Sequence, residues 1–224
     1  MEGLAVIWAP VRTLERVAGE QRVLLGFTIT ALSAVLGLIV AVVNALGGVT
    51  ASQFTSQNFP DLPPAFYENA PEIVSVMLLI SAVLSPFVWW LVVSLLMQLV
   101  TRFFGGIGPL SAMLAVVGVA NVPFVVLDAL QIPAAVLQAL LGPESAGASV
   151  VGVLTSLLSF LALAWHVVLV VIGAAFVRRI GYGQSAGSCA ISCAGCAGLI
   201  LVVGVVFVVL IVIFVGAVGS TGAS

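Results

Sequence analysis

Apolar positions along this chain run on without interruption instead of alternating with polar ones. Val23 to Leu46, Ile73 to Val100, Leu110 to Leu127, Val150 to Val177 and Ser188 to Val218 contain no Arg, Lys, Asp or Glu. Crossing the hydrocarbon core of a bilayer takes roughly 20 apolar residues in a helix, a length that these runs approach or exceed. Strands of a membrane barrel alternate over stretches of about ten residues, so continuous runs predict helices. The expected fold is an all-α integral membrane protein, a five-span transmembrane helix bundle.

The flanks of the runs read differently. From Leu4 onward, Ile7, Val11, Leu14 and Ala18 recur at helical spacing, Arg12, Glu15 and Arg16 fall elsewhere on the wheel, and Trp8 suits the headgroup level. No basic residue precedes this short apolar stretch, so it does not read as a secretory signal. Residues 1–22 are therefore expected to be an amphipathic interfacial lead-in, either a docking surface or an anchor for the first span, with Pro10 starting or kinking its helix. Residues 23–218 form the five-span membrane domain and residues 219–224 a short tail. Gly47 to Glu72 reads as an outer loop, because Pro60, Pro63, Pro64 and Pro71 argue against a continuous helix. After Asp128, the spacing of Ile132, Val136 and Leu140 predicts a short surface helix or a continuation of the third span.

Charge adds the orientation. All six basic residues are arginines. Arg12, Arg16 and Arg22 precede the first span, Arg102 follows the second, and Arg178 and Arg179 follow the fourth, which puts them on one side of a five-span topology. Basic residues concentrate in cytoplasmic loops, so the N-terminus is expected in the cytoplasm and the C-terminus outside, with Asp61, Glu68, Glu72 and Glu144 on the outer side. The expected location is the cell membrane, as a multi-pass protein, or the Golgi or endoplasmic reticulum membrane in a eukaryote. Only 6% of residues are charged and 62% are hydrophobic, so membrane lipids are the surroundings. A net charge of −2 leaves no footprint for nucleic acid.

Two features invite a chemical reading. Cys189, Cys193 and Cys196 stand at i, i+4 and i+7 on one helical face. Cys189 and Cys196 lie about 10 Å apart along the axis at a rise of 1.5 Å per residue, too far to converge on one ion with zinc–sulfur bonds of about 2.3 Å. No metal is expected. Ala190, Ala194 and Gly198 recur at four-residue intervals in the same stretch and are expected to form a helix-packing face. The other feature is His166, near the middle of the fourth span, where an ionisable residue is a functional candidate by default. Asn121 in the third span completes a candidate intramembrane polar site, although a neutral His166 bonded to a carbonyl or to Asn121 also fits. Asn44 and Asp128, and Gln98 and Arg102, fall near opposite membrane edges.

The stretch "TRFFGGIGPLSAMLAVVGVANVPFVV", from Thr101 to Val126, joins an arginine, an aromatic pair, a Gly-Gly-x-Gly turn and a helix carrying Gly118, Asn121 and Pro123. It resembles the central signature of the Yip family, the five-span membrane proteins that interact with Ypt and Rab GTPases. "WAPVRTLERV" near the N-terminus and the hairpin with Trp165, Gly173 and "GYG" at Gly181 to Gly183 are similar to prokaryotic members. The resemblance makes Arg102, Gly105, Gly106, Gly108 and Pro123 the family-motif residues. It implies a cytoplasmic N-terminus, no enzyme activity, and in eukaryotic members a role in vesicle traffic. Eukaryotic members carry a longer cytosolic region; about twenty residues precede the first span here, so a small GTPase is not expected as partner. Physically, the glycines permit a tight turn, Pro109 suits a first helical turn, and Pro123 predicts a kink near which Asn121 can bond across helices.

Motifs for nucleophilic, metal and phosphate chemistry are missing from the sequence. Neither an enzyme activity nor a cofactor is expected. The leading expectation is a protein that works through helix-helix contacts, by self-association or with other membrane proteins. A transporter or lipid-handling protein with a path beside the kinked third span is the alternative.

Overall fold

The computed structural model describes residues 5–48, 64–142, 145–195 and 197–198, and for residues 64–73 the backbone path only. Among these every regular element is helical: α1 (Ala5–Trp8), α2 (Pro10–Glu20), α3 (Val23–Leu46), α4 (Pro64–Phe103), α5 (Leu110–Ala120), α6 (Val122–Leu141), α7 (Ala146–Arg178) and α8, over 182–195. Val23–Leu46, Val74–Phe103, Leu110–Leu141 and Ala146–Arg178 are long and apolar enough to cross a membrane. These are the first four expected spans. The fifth lies largely outside the described residues.

Element ends follow local chemistry. Ala9 leaves the helical region and Pro10 opens α2 at a position whose N–H has no helical partner. Ser145 caps α7 by accepting the Ala148 N–H at 3.0 Å. Gln21 and Arg179, both at positive φ, end α2 and α7. One expectation changes here and one is decided. The loop before the second span is shorter than the prolines suggested, because α4 begins at Pro64 and continues through Pro71; Pro64 stands in the first turn, where a proline costs a helix little, whereas Pro71 lies inside the helix. Beyond Asp128 the second of the two expected courses is taken: α6 continues the third span to Leu141.

The third span is the centre of the bundle. Eight of the eleven residues of α5 are buried, and α3, α4, α7 and α2 all pack on it. Glycine makes the approach possible. A Cβ on Gly118 would overlap the Gly26 backbone, and one on Gly173 would overlap the Val116 side chain. The outer faces are apolar, with Leu24, Val35, Ile80, Leu95, Leu157 and Phe160 exposed. In lipid that is the solvated state of such side chains.

The lead-in does more than lie beside the bundle. Val6, Leu14 and Val17 join the hydrophobic core and α2 packs on α5 and α7, whereas Val11 of the expected stripe is exposed and Trp8 is 86% exposed. The buried stripe is thus rotated from the Ile7, Val11, Leu14, Ala18 series. The break at Ala9 re-aims the chain between the two short helices.

Candidate functional site

The expected kink in the third span is a full break at Asn121. Pro123 has no N–H to give. The next two amides, of Phe124 and Val125, both turn to the Asn121 carbonyl, at 2.9 and 3.2 Å. The Ala120 carbonyl, which Phe124 would satisfy in an unbroken helix, is released. His166 Nδ1 lies 2.8 Å from it. Because a carbonyl only accepts, Nδ1 carries a proton; Nε2 is buried with no acceptor beside it to stabilise a second proton, which favours the neutral ring with Nε2 as an acceptor. His166 is 2% exposed, with Phe124 and Trp89 against its ring at centroid distances of 5.0 and 6.5 Å.

Asn121 faces a different way. Its Nδ2 donates to Thr30 Oγ1 at 3.2 Å, and the Thr30 hydroxyl donates in turn to the Gly26 carbonyl at 3.0 Å. Asn121 and His166 therefore flank one break without bonding to each other: His166 ties Ala120 to α7 and Asn121 ties its own residue to α3. Toward the other end of α6, Ser33 Oγ donates to Asp128 at 2.5 Å. A cavity of about 390 Å³ lies between these groups, lined by Ser33, Ser85, Trp89, Asn121 and Asp128 among others.

Trp89 also lines a second cavity, of about 260 Å³. Trp89 and Met97 of α4, Leu163, His166 and Val170 of α7, and Cys189, Ser192 and Cys193 of α8 line it. Its walls are apolar, yet Trp89 Nε1, His166 Nε2 and Ser192 Oγ are buried without a hydrogen-bond partner. Cys189 is buried and Cys193 exposed; Cys196 lies outside the described residues. Among the described residues no three His, Cys, Asp or Glu side chains gather where they could hold a metal ion.

The face by which α8 packs is not the expected one. Ala190, Ala194 and Gly198 are exposed, while Ser185, Ser188, Cys189 and Ser192 are turned inward. Ser185 and Ser188 suit this position because their hydroxyls find carbonyls, whereas Ser192 Oγ has no partner. Ser188 donates to the Gln184 carbonyl of its own helix at 2.9 Å, and Ser185 reaches across to the Val171 carbonyl of α7 at 2.7 Å.

At the arginine-bearing end, the Gly-Gly-x-Gly loop is held by a residue that sequence reasoning used only for orientation. Arg178, 2% exposed, donates Nε to Thr101 Oγ1 at 2.9 Å and its two terminal nitrogens to the Gly106 and Gly108 carbonyls. The Arg178 carbonyl accepts from the Ile107 N–H at 3.1 Å, and Gln98 Nε2 adds a 3.0 Å bond to Gly108. Gly105 takes φ +77°, and a Cβ on Gly106 would stand 3.0 Å from both Cβ and Nε of Arg178. The loop glycines thus serve two needs, a left-handed turn and room for the guanidinium. Arg102, the motif arginine, is exposed instead. A paired arginine facing a loop of open glycine carbonyls was the available signal for Arg178.

The Yip1 domain family matches residues 4–205, most of the chain. No curated protein matches the chain, and no solved structure does. The glycine loop that Arg178 grips, the broken third span and the stretch through Gly181 all fall inside the matched region, and the chain belongs to the Yip family.

Proposed function

We propose that this membrane protein acts without catalysis, through helix-to-helix contacts with a second copy of itself or with other membrane proteins. The observation that supports the reading is the outward face of α8. Ala190, Cys193, Ala194, Ala197 and Gly198 share one exposed face, and a Cβ on Gly195 or Gly198 would meet nothing within 4 Å. Association of helices in lipid depends on close packing at small residues, and this face offers its backbone to a neighbour.

The proposed setting is the cell membrane with five spans, the N-terminus cytoplasmic and the C-terminus outside. It is supported by the gathering of Arg22, Arg102 and Arg178 at one end, where Ser111 Oγ donates to Gln21 at 2.6 Å and Arg178 holds the loop after α4. Cys193 supplies the test. Mild oxidation of native membranes with copper phenanthroline is expected to yield a disulfide-linked species that Cys193→Ser abolishes. Protein that is strictly monomeric in detergent, with no partner recovered by bifunctional crosslinking in native membranes, overturns the proposal.

A further inference from the structure

We infer that the cavity between α4, α7 and α8 is a binding site for an uncharged, hydroxyl-bearing lipid that enters from the bilayer. The inference does not rest on the contact-mediated role proposed above. It starts from three polar atoms that a folded protein normally pairs and that here have no partner: Trp89 Nε1, His166 Nε2 and Ser192 Oγ, all in residues that line one cavity. His166 and Ser192 are 2% and 4% exposed. The ring orientation of His166 is fixed by its Ala120 bond, so Nε2 is available only as an acceptor.

The combination selects a ligand. Trp89 supplies a donor, His166 an acceptor, and Ser192 either. An alcohol hydroxyl can donate to His166 and accept from Trp89, two residues whose ring centroids are 6.5 Å apart; a carbonyl cannot serve His166, and a hydrocarbon serves neither. Among the lining residues none is Asp, Glu, Lys or Arg, so a phosphate or ammonium head would enter without a counter-charge, which is costly in a medium of low polarity.

Size and access agree. About 260 Å³ is several times the roughly 30 Å³ that one water occupies in the liquid, and apolar walls with few polar groups are typical of small-molecule pockets. Leu163 of α7 is at once a lining residue and exposed on the apolar flank, so among the described residues the cavity reaches the bilayer on the α7 side. A hydroxyl head with its first methylenes fits inside, and the remaining hydrocarbon stays among the acyl chains.

The test uses the full chain in phosphatidylcholine vesicles and a twelve-carbon alcohol bearing a diazirine on its chain. Photolabelling is expected to map to residues 163–170 and 189–197, and 1-dodecanol is expected to compete at least tenfold better than dodecane or dodecyl phosphate. Trp89→Phe and Ser192→Ala are each expected to lower labelling about three- to tenfold, the worth of one hydrogen bond. Three results overturn the inference: labelling spread over the whole lipid-facing surface, equal competition by dodecane, or labelling unchanged in both variants, as a water-filled cavity would give. Should either variant fail to fold, the competition series on the unaltered protein decides the matter.

Discussion

Gly26 of α3 and Gly118 of α5 meet backbone to backbone. A Cβ on Gly26 would stand 3.1 Å from the Ala115 carbonyl oxygen and 3.2 Å from the Gly118 Cα. Two spans can approach this closely only where neither carries a side chain, and the contact seats the first span against the buried third one.

Replacing Gly118 by Ala is therefore expected to push the spans apart. Overpacking a tight contact costs about 1–3 kcal/mol, read as a lower midpoint in SDS-induced unfolding from mixed micelles. Gly19→Ala, where nothing lies within 4 Å, is expected to leave the midpoint unchanged or raise it by up to about 1 kcal/mol through helix propensity. Equal losses in both variants would contradict the close-approach account.

Arg178→Lys is expected to loosen the loop after α4 despite keeping the charge. A lysine ammonium cannot reproduce a planar fork that reaches Thr101, Gly106 and Gly108 together. Each buried group left unpaired costs about 1–3 kcal/mol. Limited proteolysis should cut residues 104–109 faster in Arg178→Lys, and faster still in Arg178→Ala, whereas Arg102→Ala at its exposed position should leave the rate near that of the unaltered protein.

Nitrogen shifts of His166, measured by solid-state NMR in lipid, are expected to show a protonated Nδ1 and a bare Nε2. The sign is fixed by the 2.8 Å approach of Nδ1 to an acceptor-only carbonyl. His166→Leu should lower stability by about 1–3 kcal/mol, because the Ala120 carbonyl then loses its partner beside a proline.

Asn121→Val is expected to cost less, near the roughly 0.6 kcal/mol average for hydrogen bonds between membrane helices. Its one bond to Thr30 is 3.2 Å long, and Thr30 keeps its own bond to Gly26. A larger loss than in His166→Leu would reverse the assigned importance of the two residues.

Much of this architecture is legible in the sequence because lipid demands unbroken apolar helices, and Val23 to Leu46 shows it without ambiguity. The break near Pro123 is legible too, since a missing N–H has a fixed consequence. What a linear pattern cannot show is which side of an apolar helix meets protein. Around α8 most residues are small, so Ala190 and Ala194 read as no less suited to packing than Ser185 and Ser188; the difference lies in the Val171 carbonyl of α7, which accepts the Ser185 hydroxyl. Arg178 marks only orientation in the linear pattern, because only the fold brings it to the carbonyls of a loop some seventy residues earlier.

The grip of Arg178 on that loop has a consequence for biogenesis. The hairpin of the second and third spans cannot settle into its final shape while only those two have been synthesised, since the residue that latches it is the last of the fourth span. The last step in shaping the hairpin therefore requires the fourth span to be in place beside it.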